Sequence, residues 1–131
     1  MNLRKNVEGY SYMIKEGYRS KAKDGGNYTV KRVARLKQPV ECYSQVKGKA
    51  LFNPVIVKMK WDTPSSDDKH EFWFPYWITW SDISDKERYG QYAPMIGEKA
   101  LLELLDDAIS QDFFSEGFLN NLRVTISKKL S

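Results

Sequence analysis

The sequence predicts an α+β domain. An N-terminal antiparallel β-sheet, about five strands in meander-like order, is covered by two or three C-terminal helices. Three observations predict this. Segments with strand periodicity, separated by turn residues, fill the first 80 positions. Helical signals begin only after Ser84. No internal repeat, low-complexity tract or linker divides the chain, and strands followed by helices favour helices gathered on one sheet face. The 131 residues are 41% apolar, enough for one buried core and too few for two, so residues 1–131 are read as a single domain.

The elements follow in order. Tyr10, Tyr12 and Ile14 alternate with smaller or polar residues and predict a half-buried strand. Lys15–Lys23 and Tyr28–Lys37 flank Asp24-Gly25-Gly26-Asn27. Those four residues tolerate positive φ and make the best hairpin turn in the chain. Val40–Tyr43 is a short strand after Pro39, Lys47-Gly48-Lys49 a turn, and Val55–Trp61 a strand rich in β-formers. Pro64–Asp68 reads as a solvated loop, and Glu71–Trp80 returns as an antiparallel strand. Within that strand, period two places Trp73 and Trp77 on one face and Phe72, Phe74 and Tyr76 on the other. Pro75 has no N–H to give a ladder, so the strand kinks there or an aromatic face meets a partner.

Ser84 with Glu87 has the spacing of a capping box and predicts a short helix over Asp85–Tyr89. Leu101, Leu104, Leu105 and Ala108 make an amphipathic stripe over Glu98–Ser110, with Glu103, Asp106 and Asp107 on a polar face. Asp106 and Asp107 near a helix C-terminus oppose its dipole, a cost that a basic neighbour would offset. Ser115 is positioned to cap a further helix carrying Phe118, Leu119 and Leu122, with Val124–Ile126 as an alternative last strand.

Charge is uneven. Residues 1–60 hold 14 Lys and Arg against four acids, a net +10, whereas residues 61–131 carry −6, for +4 in all. A cation excess of this size calls for a negative surface: nucleic acid, the acidic half of the same chain, or a second copy. No apolar run is long enough for a membrane span, and the first ten residues have no signal-peptide core. These readings, with a single cysteine, point to the cytoplasm and to no membrane partner. Cys42 and His70 stand alone in type, which excludes four-cysteine zinc sites and paired-histidine chemistry. Cys42, beside Glu41, reads as a small buried structural cysteine. Asp62, Asp67, Asp68, His70 and Glu71 match no calcium-loop spacing. No phosphate-binding glycine loop or nucleophile motif is present, so neither enzyme activity, cofactor nor metal is expected.

The function these residues favour is non-enzymatic binding of a polyanion, DNA or RNA foremost, through the basic hairpin. Its candidate contacts are Arg19, Lys21, Lys23, Tyr28, Lys31, Arg32, Arg35 and Lys37. Cations neutralise phosphates, and a tyrosine ring stacks on unpaired bases. The alternative is a protein-interaction or self-associating subunit. It would use the aromatic strand through Trp73, Tyr76 and Trp77, with the acidic helix 98–110 as its polar rim.

Overall fold

One long strand organises the molecule. The structure is a computed structural model that describes residues 11–20, 27–62, 70–90 and 94–131. It contains strands β1 (Tyr28–Arg35), β2 (Val40–Ser44), β3 (Gly48–Trp61), β4 (Glu71–Trp73), β5 (Tyr76–Thr79) and β6 (Glu87–Tyr89). Helices α1 (Glu98–Ser110) and α2 (Glu116–Leu130) follow. Every ladder is antiparallel, and the α+β class stands, with six strands. The 55–61 half of β3 pairs with β1 on one side and β4 on the other. Its 48–54 half pairs with β2 and β5, and β6 extends the sheet beyond β5.

The changeover follows from three prolines. Pro54 lies at the middle of β3 opposite Tyr76, and the Pro75 carbonyl accepts from the Val55 N–H at 3.1 Å. Pro39 falls in the gap between β1 and β2, where ladder partners jump from Arg35–Val55 to Val40–Phe52. Each pass of the chain therefore interrupts its ladder along one transverse line, because proline has no N–H to donate. The single strand expected over Glu71–Trp80 is accordingly two, broken at Phe74-Pro75. Because the break spans two residues, side-chain parity survives: Trp73 and Trp77 both face the same core.

The two faces are covered differently. On one, Ile14, Tyr28, Val30, Val55, Val57, Met59 and Trp77 form a core, with Trp61, Trp73 and Tyr89 packed at its margin. On the other, Ala34 and Ile56 meet Leu104 and Ala108 of α1 and Phe113 beyond it. A register shift between Val30 and Arg32 lets β1 serve both faces.

α1 also closes the outer edge of β1. Glu103 Oε2 accepts from the Lys37 N–H at 2.7 Å, and Asp107 Oδ2 accepts from the Arg35 N–H at 2.9 Å. Gln111 Nε2 donates to the Val33 carbonyl at 2.9 Å. Four residues of helix rise about 6.0 Å, and two residues of strand about 6.6–6.8 Å. Side chains spaced by four on α1 therefore match backbone groups spaced by two on β1. At the other end of this edge, Tyr18 accepts from the Val30 N–H, while Gly17 and Ser20 donate to the Val30 and Tyr28 carbonyls. An edge so occupied offers no unpaired ladder to another chain.

α1 ends in a left-handed turn at Asp112, whose φ is 59°. The Phe113 N–H reaches the Ala108 carbonyl and the Asp112 N–H the Ile109 carbonyl, and Phe113 buries against Ala108. That is a Schellman cap with Asp where glycine is commonest. Ser115 then caps α2, its Oγ accepting from the Phe118 N–H at 3.1 Å. α2 runs through Val124–Ile126 to Leu130 with no fully buried residue, so the buried helix residues described on the sheet, Leu104 and Ala108, come from α1, and α2 adds Phe118 beside Phe114.

Two expected elements take other forms. Ser11–Met13 is a single 3-10 turn, although Ile14 is buried as anticipated. The Ser84–Glu87 pairing does not cap a helix. Ser84 Oγ accepts from the Lys86 N–H, and the Glu87 carboxylate accepts from Ser11 N–H at 2.6 Å and from Asn53, which leaves Glu87–Tyr89 as β6. The hairpin turn 24–26, the loop residues 64–68 and the first part of the 10–14 segment lie outside the described residues.

Candidate nucleic-acid interface

Among the described residues, the basic hairpin does not present its cations on one face. Arg19 pairs with Asp62 at 2.6 Å, and Arg32 with Glu16 at 2.8 Å, both at the surface. Arg35 points to the opposite face from Arg32. It is half-buried and donates to the Ser11 carbonyl at 3.0 Å and to the Ile14 carbonyl. Burial pulls its pKa below the ordinary guanidinium value, against the opposing pull of Glu87 and Asp107. Arg35 is thus a brace for the N-terminal segment. Lys31 sits half-exposed at the register shift, and the Lys37 side chain is exposed beyond the end of β1. Lys21 and Lys23 lie outside the described residues.

The aromatic candidates are placed by packing. Tyr28 is 2% exposed, with Trp61 and Trp73 edge-on to it at 5.6 and 5.9 Å, so its ring has no free face for a base. Burial, then the neighbouring Tyr18 and Tyr89, push its phenol pKa upward. Trp77 is fully buried and Trp73 half-buried at the same core. Tyr76 packs edge-on against Phe52 at 5.0 Å. The aromatic strand therefore faces inward with its tryptophans. The helix acids meant as its rim are committed as well: Glu103 and Asp107 bind backbone amides of the strand, so the expected basic neighbour of α1 is main chain. Cys42 is exposed on β2 and not in the core.

A different set of residues comes together on the α1 side of the sheet. Alternation along β3 puts Ile56, Lys58 and Lys60 on one face. Arg32 stands directly opposite Lys58 across the ladder, and Thr29 opposite Lys60. Phe72 of β4 lies opposite Lys58 on the other side. Beside it, Phe72, Phe114 and Phe118 follow one another at ring distances of 5.1 and 4.8 Å, and Phe72 also stacks on Phe113 at 6.2 Å. Phe72 is 38% and Phe118 47% exposed. These rings, Lys58 and His70 line an open groove of about 520 Å³ between β4 and the α1–α2 connection. Lys58 Nζ donates to the Asp112 carbonyl at 3.1 Å, which holds the ammonium at the groove wall.

Sequence alternation over Val55–Trp61 contains the signal for Lys58 and Lys60, since both fall opposite Val57 and Met59. Nothing local joins them to Phe114 and Phe118, which arrive through the left-handed turn at Asp112. Among the described residues no cluster of three or more His, Cys, Asp or Glu could hold a metal ion, and no helix is long and apolar enough to cross a membrane. Compared with protein-family models, curated proteins and solved structures, the chain has no significant match.

Proposed function

We propose that this protein binds single-stranded nucleic acid on the α1 side of its sheet, with Arg32, Lys58 and Lys60 facing phosphates and Phe72 and Phe118 facing bases. One observation carries the reading: Arg32 stands cross-strand from Lys58, with Lys60 two residues on, beside half-exposed phenylalanine rings. Like charges opposite each other on a ladder are unfavourable, and a phosphate between them removes the cost. Apolar rings beside such a row give the combination of stacking platform and cationic track that unpaired bases use. A duplex fits less well, because β1, the described arm of the hairpin, pairs along its length with β3 and is not a free ribbon for a major groove.

The test is fluorescence anisotropy of a labelled oligonucleotide across a salt series. Three phosphate contacts on a single strand give a slope of log affinity against log salt of about −2. Lys58→Glu should flatten that slope. Phe118→Ala should weaken binding while leaving the slope in place. Absence of binding at low salt, or indifference to charge reversal at 32, 58 and 60, would overturn the proposal.

Self-association is the second reading, and α2 favours it over the aromatic strand. Leu119, Leu122, Ile126 and Leu130 form a stripe on a helix that buries nothing. An antiparallel second copy lays its Lys128 and Lys129 end beside Glu116 of the first. Sedimentation equilibrium of the chain and of Ile126→Lys distinguishes the two: a dimer lost on substitution supports it, and a monomer at all concentrations removes it.

A further inference from the structure

On the opposite side of the sheet, at the margin of the larger core, the protein carries a second concavity of different chemistry. Its volume is about 280 Å³, and its lining includes Tyr28, Trp61, Glu71, Trp73, Tyr89 and, shared with the α1-side groove, Phe72. Tyr28 is its deepest member, while Trp61, Trp73 and Tyr89 are half-buried around it. The rings stand steeply to one another: Tyr28 to Trp61 at 78°, Tyr28 to Trp73 at 64° and Trp73 to Tyr89 at 51°. None of these pairs is stacked face to face, and all four rings line the same cavity.

Two further facts separate this pocket from ordinary core packing. The Tyr28 hydroxyl is buried and has no hydrogen-bond partner. A buried phenol without a partner is costly in an apolar site, a cost that ordinary core packing avoids. The charge of the lining is also unusual for a chain with net charge +4: one carboxylate, Glu71, and no cation among the described lining residues. Aromatic faces attract cations through their quadrupole, and the attraction is strongest where the ion has shed its water. An ion that sheds water readily is one whose charge is wrapped in methyl groups.

We infer that this aromatic pocket binds a methylated ammonium group, its methyls against Trp61, Trp73 and Tyr89 and its charge facing Glu71. The inference does not rest on the nucleic-acid reading: the two cavities share Phe72 of β4 but no cation, and the residues assigned to the ammonium are not among those assigned to nucleic acid. A quaternary ammonium on a flexible stem reaches such a pocket either as a free choline-type molecule or as a trimethylated lysine side chain.

The experiment is an NMR titration of the full isotope-labelled chain, following the indole N–H resonances of its four tryptophans at constant ionic strength. The probes are choline, the neutral alcohol in which carbon replaces the choline nitrogen, and blocked trimethyllysine. Saturable shifts are expected at Trp61 and Trp73 and not at Trp80, with choline bound roughly ten-fold more tightly than its neutral isostere. Glu71→Gln, an exposed position, should weaken the cations several-fold and leave the alcohol unaffected. Tighter binding of trimethyllysine than choline assigns the ligand to a protein side chain; the reverse order assigns it to a small molecule. Equal binding of cation and alcohol, or no movement of Trp61 and Trp73 at high millimolar ligand, overturns the inference.

Discussion

Asp107 holds the helix to the sheet, and its removal has a calculable consequence. Its Oδ2 accepts from the Arg35 N–H at 2.9 Å and from Gln111 Nε2 at 3.0 Å, and Gln111 in turn donates to Val33. In Asp107→Ala the Arg35 amide, on a strand edge beneath α1, loses the acceptor that the helix supplies. A hydrogen bond to a charged group contributes about 1.5–3 kcal/mol, and partial exposure places this one at the lower end. Freeing Gln111 adds roughly 0.5 kcal/mol, for a total near ~2 kcal/mol. For a chain of this size each kcal/mol moves the midpoint by about 4 °C, so Tm should fall by about 8 °C. Asp107→Asn keeps an acceptor oxygen and should lose less than half of that. Asp106→Ala, at the exposed neighbouring position, is the internal control and should stay within roughly 0.5 kcal/mol of the parent. The assay is urea and thermal unfolding followed by circular dichroism. If Asp106→Ala and Asp107→Ala destabilise equally, or neither does, the strand-edge role is refuted and the acidic face is merely solvated.

Three other perturbations test separate parts of the structure. Asp112→Gly relieves the left-handed backbone at the α1 cap and should raise stability by roughly 0.5–1 kcal/mol in urea unfolding, while removing a carboxylate beside the Lys58 groove should tighten oligonucleotide binding. Tyr28→Phe removes a buried hydroxyl with no partner, so stability at pH 7 should be unchanged or slightly higher. Because the folded-state pKa of Tyr28 is raised, its contribution is fully present below the unfolded phenol's pKa of about 10 and is lost as pH rises beyond it. The parent should therefore show a steeper alkaline decline in unfolding free energy than Tyr28→Phe, and parallel profiles would contradict the burial. Ser115→Ala deletes the α2 cap at a cost of about 1 kcal/mol. Since α2 buries no residue, that loss should appear as reduced helicity in far-ultraviolet circular dichroism with little change in the sheet's unfolding midpoint.

How much of this was legible in the sequence depends on the range of the interaction. The α1 boundaries and the Ser115 cap could be read because stripe spacing and capping are local. So could the break at Pro75, since a missing N–H disrupts any ladder. β6 could not, because the Ser84–Glu87 signal is a local preference defeated by a distant partner: the Glu87 carboxylate is taken by Ser11 and Asn53. The same limit governed the candidate site. Counting charges set ten excess cations in one half against six excess acids in the other and left open whether they meet each other or an outside anion. Asp62 does meet Arg19, but Glu103 and Asp107 meet the amides of Lys37 and Arg35, groups that every residue but proline carries and no composition records. With those two acids occupied by main chain, the crowding of Arg32 and Lys58 across the ladder is met on their face of the sheet by Glu16 and by the Asp112 carbonyl. Glu16, joined to Arg32 at the exposed rim, offsets that crowding only weakly, since exposed ion pairs are individually worth little, and a phosphate placed between Arg32 and Lys58 would offset it further.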